Sequence, residues 1–129
     1  MNYIKTNDKW ARQRGTTLIE LSVVIAVILL LAGVLFIGVT AWRTSANNAA
    51  CLVDLVSIQK AVRGEQNYNL MNFGDALAST KLVTDGYFTV LPTDPTAAAG
   101  TAFTYTGTIP TSGTAYASSP NLTPNTANW

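Results

Sequence analysis

The sequence predicts an α+β protein, and three observations carry that prediction. Residues 21–39 form an apolar run, residues 42–70 continue it as an amphipathic helical pattern, and beyond Asn69 the composition turns to Thr, Ala, Gly, Ser and Pro with strand-like alternation. Long helix first and small antiparallel sheet last, segregated along the chain, is the α+β arrangement. The sheet is expected to pack on the outer half of the helix.

The run reads LSVVIAVILLLAGVLFIGV, with only Ser22, Gly33 and Gly38 outside the apolar set. At about 1.5 Å rise per residue it spans roughly 28 Å as a helix, close to the hydrocarbon thickness of a bilayer. A surface helix of a soluble domain shows a polar face, and this stretch has none. It is read as a membrane segment.

Charge sets its orientation. Lys5, Lys9, Arg12 and Arg14 against Asp8 put +3 on the first fifteen residues, which leaves −2 on the remainder of a chain whose formal charge is +1. Basic residues before a membrane segment hold that end in the cytoplasm, so the chain is expected N-in, C-out in the inner membrane. The mildly acidic remainder gives no reason to expect a nucleic-acid partner, since Lys and Arg supply the phosphate contacts. There is no His, and Cys51 is the single cysteine. One chain therefore forms no intramolecular disulfide, and it offers neither a His-bearing zinc site nor a Ser-His or Cys-His pair. Neither an enzyme nor a cofactor is expected.

An ordinary secretory signal would explain the basic start, and residues 39–41 offer small side chains near a cleavage position. The apolar run is nevertheless longer than the usual 7–15-residue core of such a signal. A lipoprotein signal fails because Val34 follows Gly33 where a cysteine is needed. A plain signal anchor leaves Glu20 unexplained. An acidic side chain at mid-bilayer costs about 2.5–3.5 kcal/mol on insertion scales, less near the interface, and such residues usually have a partner.

The stretch Arg12-Gln13-Arg14-Gly15-Thr16-Thr17-Leu18-Ile19-Glu20-Leu21 resembles the processing site of type IV prepilins and of the related pseudopilins. Those families share a basic leader, a glycine at the cut, an apolar helix and a glutamate five residues past the cut. The resemblance implies cleavage between Gly15 and Thr16 by a membrane-embedded prepilin peptidase, and N-methylation of Thr16. It also implies that Glu20 meets the new amine of a neighbouring copy. Two features depart from the usual pattern. Thr16 stands where Phe is commonest, and the proline that many major pilins carry midway along this helix is absent.

Each part has a physical reason. Gly15 lacks a Cβ, so the scissile backbone lies extended in a narrow cleft. Arg12 and Arg14 keep the leader on the cytoplasmic side. Cleavage leaves a cation at Thr16 beside the apolar phase, and an unpaired buried charge costs several kcal/mol relative to a paired one. The Glu20–Thr16 contact would then set axial register, while the apolar runs supply adhesion without regard to register.

Trp42 and Arg43 follow the run as interfacial anchors. Beyond them Cys51, Leu52, Leu55, Val56, Ile58 and Val62 recur at three- and four-residue steps, and Asp54, Ser57, Lys60 and Arg63 lie off that stripe. Together the two halves predict one rod of about 75–80 Å, weakened near Gly64 and Glu65. Cys51, on the stripe, is read as a buried structural thiol. Residues 75–82 are expected as a short helix with Ala76, Leu77 and Leu82 inward. Residues 87–91, 101–106 and 113–117 are expected as strands. Asp94, between Pro92 and Pro95, reads as a turn residue rather than a calcium ligand, because calcium wants six to eight oxygens and no acid lies nearer than Asp85. Asn121-Leu122-Thr123 matches a glycosylation pattern that is frequent by chance, and Trp129 is left open between docked and exposed.

The sequence thus divides into a leader at 1–15, a membrane and filament-core helix at 16–41, its amphipathic continuation at 42–70 and a small β-rich region at 71–129. The expected function is a structural subunit of a type IV pilus-like filament, first in the inner membrane and then in an extracellular or periplasmic polymer of itself or related pilins. A pseudopilin of a secretion or DNA-uptake machine is the alternative, and a non-polymerising signal-anchored envelope protein is a third reading.

Overall fold

A computed structural model describes residues 17–129. Its elements are α1 (Leu18–Tyr68), α2 (Ser79–Thr84), β1 (Thr104–Tyr105) and β2 (Ala117–Ser118). β1 and β2 form a two-stranded antiparallel sheet with Thr104 opposite Ser118 and Tyr105 opposite Ala117. The α+β class follows directly. The chain falls into two compact units, one holding the described residues up to Val39 and the other Thr40–Trp129.

In the first unit α1 is apolar on every side, and its side chains are exposed apart from a half-buried Ala32. By length and composition α1 is long and apolar enough to cross a membrane, and nothing of its most apolar window is buried within the chain. Exposure of Phe36 (77%) and Ile37 (75%) to water would be costly, so lipid or other helices are the expected surroundings.

In the second unit α1 buries one stripe, including Cys51, Leu55, Ile58 and Val62, against Leu77, Leu82, Phe103, Ile109 and Tyr116. Each fully buried Leu or Ile contributes about 1.5–3 kcal/mol relative to exposure. Leu52 and Val56, placed on that stripe by spacing, lie at its margin: Leu52 is exposed and Val56 half-buried.

Most of the region after α1 is irregular chain fastened by side chains of α1. Gln59, buried, accepts from the Tyr116 amide through Oε1 at 3.0 Å and donates from Nε2 to the Thr114 carbonyl at 3.3 Å. Arg63 donates to the Pro110 and Thr111 carbonyls at 2.8 and 3.3 Å, and its guanidinium lies 5.3 Å from the centre of the Phe73 ring. The Tyr116 hydroxyl donates to the Leu77 carbonyl at 2.6 Å. Gly64 and Glu65 are no weak point. α1 continues to Tyr68, Glu65 is buried and accepts from Lys81 and Asn69, and the Tyr87 ring packs where a Cβ on Gly64 would stand 3.1 Å from its Cε1. Absence of that Cβ is what admits the ring.

α1 ends in a left-handed cap. The Met71 amide donates to the Gln66 carbonyl at 2.9 Å, and Leu70 between them has φ +51°. Glycine usually fills that position, and Leu70 is 87% exposed.

Three local expectations change. Residues 87–91 form no strand, because the Tyr87 and Phe88 amides both donate to the Leu82 carbonyl and so close the end of α2. The short helix starts at Ser79 rather than Asp75, leaving Ala76 exposed in an isolated bridge to Thr108 while Leu77 is buried. At 113–117 only the end pairs, since Gly113 sits in a turn at φ +81°. Trp129 is half-buried against the core cluster, and its carbonyl accepts from the Gly113 amide at 3.0 Å.

Asp94 does occupy a turn. Its Oδ1 accepts from the Thr96 amide at 2.8 Å and hydroxyl at 2.6 Å, and the side chain is 2% exposed. Burial pushes its carboxyl up, but donors on Ser119, Thr96 and Cys51 together hold it below the usual carboxylate range. Cys51 is fully buried, and burial, reinforced by the Asp94 charge, raises its thiol.

Candidate processing and assembly site

The start of α1 is built by two residues that satisfy each other. Thr17 is the N-cap, and its Oγ1 accepts from the Glu20 amide at 3.3 Å. Three residues on, Glu20 Oε2 accepts from the Thr17 amide at 2.9 Å. This reciprocal pair is a capping box. It answers a problem that is acute at the edge of an apolar phase, where the first amides of a helix have no intrahelical acceptor. The Thr17 carbonyl accepts from the Leu21 amide at 3.1 Å, and the Ser22 hydroxyl donates to the Ile19 carbonyl at 2.9 Å. All polar groups shown here are therefore turned onto the backbone of the first turns.

A carboxylate in the first turn also faces the positive end of the helix dipole, worth about 0.3–1 kcal/mol. Glu20 thus keeps Oε2 on the Thr17 amide at the N-terminal end of α1.

Of the expected site residues, Glu20 is placed by the structure. Gly15, Thr16, Arg12 and Arg14 lie outside the described residues. Thr17 is the residue that reasoning from charge and cleavage overlooks. Its signal was present, since Thr17-Leu18-Ile19-Glu20 has the T-x-x-E spacing that announces a capping box before an apolar run.

A basic stretch, a glycine, a capped apolar helix and a first-turn glutamate in this order are matched by one family model. A prokaryotic N-terminal methylation motif occupies residues 10–36. This is the signal of type IV pilins and pseudopilins, so the segment resembling their processing site is shown to carry it. The methylation motif contains Arg12, Arg14, Gly15, Thr16, Thr17 and Glu20 together with most of the apolar run, and ends at Phe36. No curated protein and no solved structure matches the chain. The motif gives the chain a pilin-type N-terminal signal, and the apolar helix that follows is long and apolar enough to cross a membrane.

Outside the methylation motif no reaction centre is assembled among the described residues. Lys81 is shared between Glu65 and Asp85, and it holds the Asp85 carboxyl below the usual range. That cluster fastens α2 to the end of α1. Cys51 has no access to solvent.

Proposed function

We propose that this chain is a structural subunit of a type IV pilus-like filament. Prepilin peptidase cuts between Gly15 and Thr16, Thr16 is N-methylated, and the mature chain leaves the inner membrane to join a helical polymer through α1. Glu20 of one copy pairs with the Thr16 amine of the next. Exposed apolar residues of the first unit pack together in the shaft, and the second unit coats it. The observation that carries this reading is the methylation motif at residues 10–36 leading into a helix whose most apolar window is not buried among the described residues.

The test is the intact mass of the chain purified from membranes and from sheared surface material of a peptidase-bearing host. A chain beginning at Thr16 and heavier by one methyl group is expected. Gly15→Val should keep the full leader, because a branched side chain cannot lie in the cleavage cleft. Recovery of the wild-type chain with Met1 still attached would end the proposal. A pseudopilin would give the same mass, and it is separated by the absence of surface fibres at native expression.

A further inference from the structure

An open cleft of about 500 Å³ lies along α1 within the second unit. Its floor is one stripe of the helix, because Val56, Lys60, Arg63, Gly64 and Asn67 recur at three- and four-residue steps and so share a face. Asn128 and Trp129 form the other side, with Trp129 half-buried against the core cluster. A concave, mostly apolar space of this size with a few polar groups around it is the usual form of a small-ligand site. Those polar groups are unspent. The Lys60 ammonium, the Asn67 and Asn128 carboxamides and the Trp129 indole N–H make no hydrogen bond or ion pair among the described residues. Neighbouring polar side chains of α1 differ in this respect, since Gln59, Arg63 and Glu65 each fasten the chain that folds back over the helix. No carboxylate side chain lines the cleft, and the Trp129 carbonyl is taken by the Gly113 amide at 3.0 Å.

We propose that this cleft binds an acidic sugar, a pyranose that carries a carboxylate. The indole of Trp129 is a flat apolar surface with a polar N–H at its edge, and the C–H face of a pyranose packs against such a surface. Asn67 and Asn128 each hold a donor and an acceptor in one plane, which suits neighbouring hydroxyls that both give and accept hydrogen bonds. Lys60 is the one uncommitted cation, and a charge-assisted hydrogen bond from its ammonium selects a carboxylate over a neutral substituent. Phosphate would ask for more. Arg63 has the planar fork that suits a phosphate, but its donors are spent on Gln66 and on the Pro110 and Thr111 carbonyls. The site lies wholly within the second unit and does not depend on polymerisation.

The test uses the full-length chain in detergent micelles, titrated with a glucuronate tetrasaccharide and separately with a glucose tetrasaccharide of the same linkage. The indole N–H signals of the three tryptophans are followed by NMR, and Trp129→Phe assigns the one at the cleft. The acidic probe should move the Trp129 signal saturably with a Kd of about 1 mM and leave those of Trp10 and Trp42 in place. The neutral probe should bind at least about fivefold more weakly. Lys60→Gln and Asn67→Ala change exposed side chains and should keep the wild-type melting temperature. They should weaken the acidic probe by about tenfold and about threefold respectively. No saturable shift at about ten times the expected Kd, equal binding of the neutral probe, or unchanged affinity in either variant overturns the assignment. None of these results touches the filament reading, which is decided by mass and by fibres.

Discussion

Glu20 is asked to do two things, and Glu20→Gln separates them. In the structure its Oε2 accepts from the Thr17 amide at 2.9 Å, a role that glutamine fills equally well in a capping box. What glutamine lacks is the charge for a neighbour's amine. Leaving that amine unpaired in an apolar interface costs about 3–5 kcal/mol. At 1.4 kcal/mol per decade, addition of a subunit should weaken by about 10²-fold to about 4 × 10³-fold. Thr17→Ala makes the opposite cut. It removes the cap at about 1 kcal/mol but keeps the carboxylate, so assembly should weaken by no more than about tenfold. Filament yield from cells measures the first quantity. Amide exchange at Glu20 in detergent micelles measures the second, with protection retained in Glu20→Gln and lost in Thr17→Ala. Wild-type filament yield from Glu20→Gln would refute the charge contact and reduce Glu20 to a helix cap.

Other expectations concern the second unit. Leu70→Gly should raise stability by about 0.5–1 kcal/mol, seen as a higher melting temperature, because the left-handed cap suits glycine and the leucine is 87% exposed. Tyr116→Phe should lower stability by about 1–2 kcal/mol by stranding the Leu77 carbonyl, with no change in processing by intact mass. Asp94→Asn should lose stability at neutral pH and flatten the acid limb of an unfolding titration. A carboxyl held below its unfolded value stabilises above that value, and its contribution fades as pH falls through the folded one. An unchanged acid limb would show that Asp94 is not the group responsible.

How much of this was legible varies with the physics involved. The apolar run and the stripe through Cys51, Leu55, Ile58 and Val62 are statements about period and burial, which sequence displays directly. The first-turn glutamate and its glycine were legible because motif spacing encodes them. Tyr87 and Phe88 misled because strand propensity speaks of side chains, while their amides had been taken by the end of α2. Gln59, Arg63 and Glu65 were invisible as anchors for a related reason. A polar side chain on a helix looks solvated until the chain that folds back over it is known. Thr17 was readable and simply outweighed by the louder charge pattern.

The lone sulfhydryl sits under the Asp94 turn, sealed by the folded loops and by a carboxylate that discourages ionisation. In the proposed filament, neighbouring copies would therefore present no Cys51 thiol to one another.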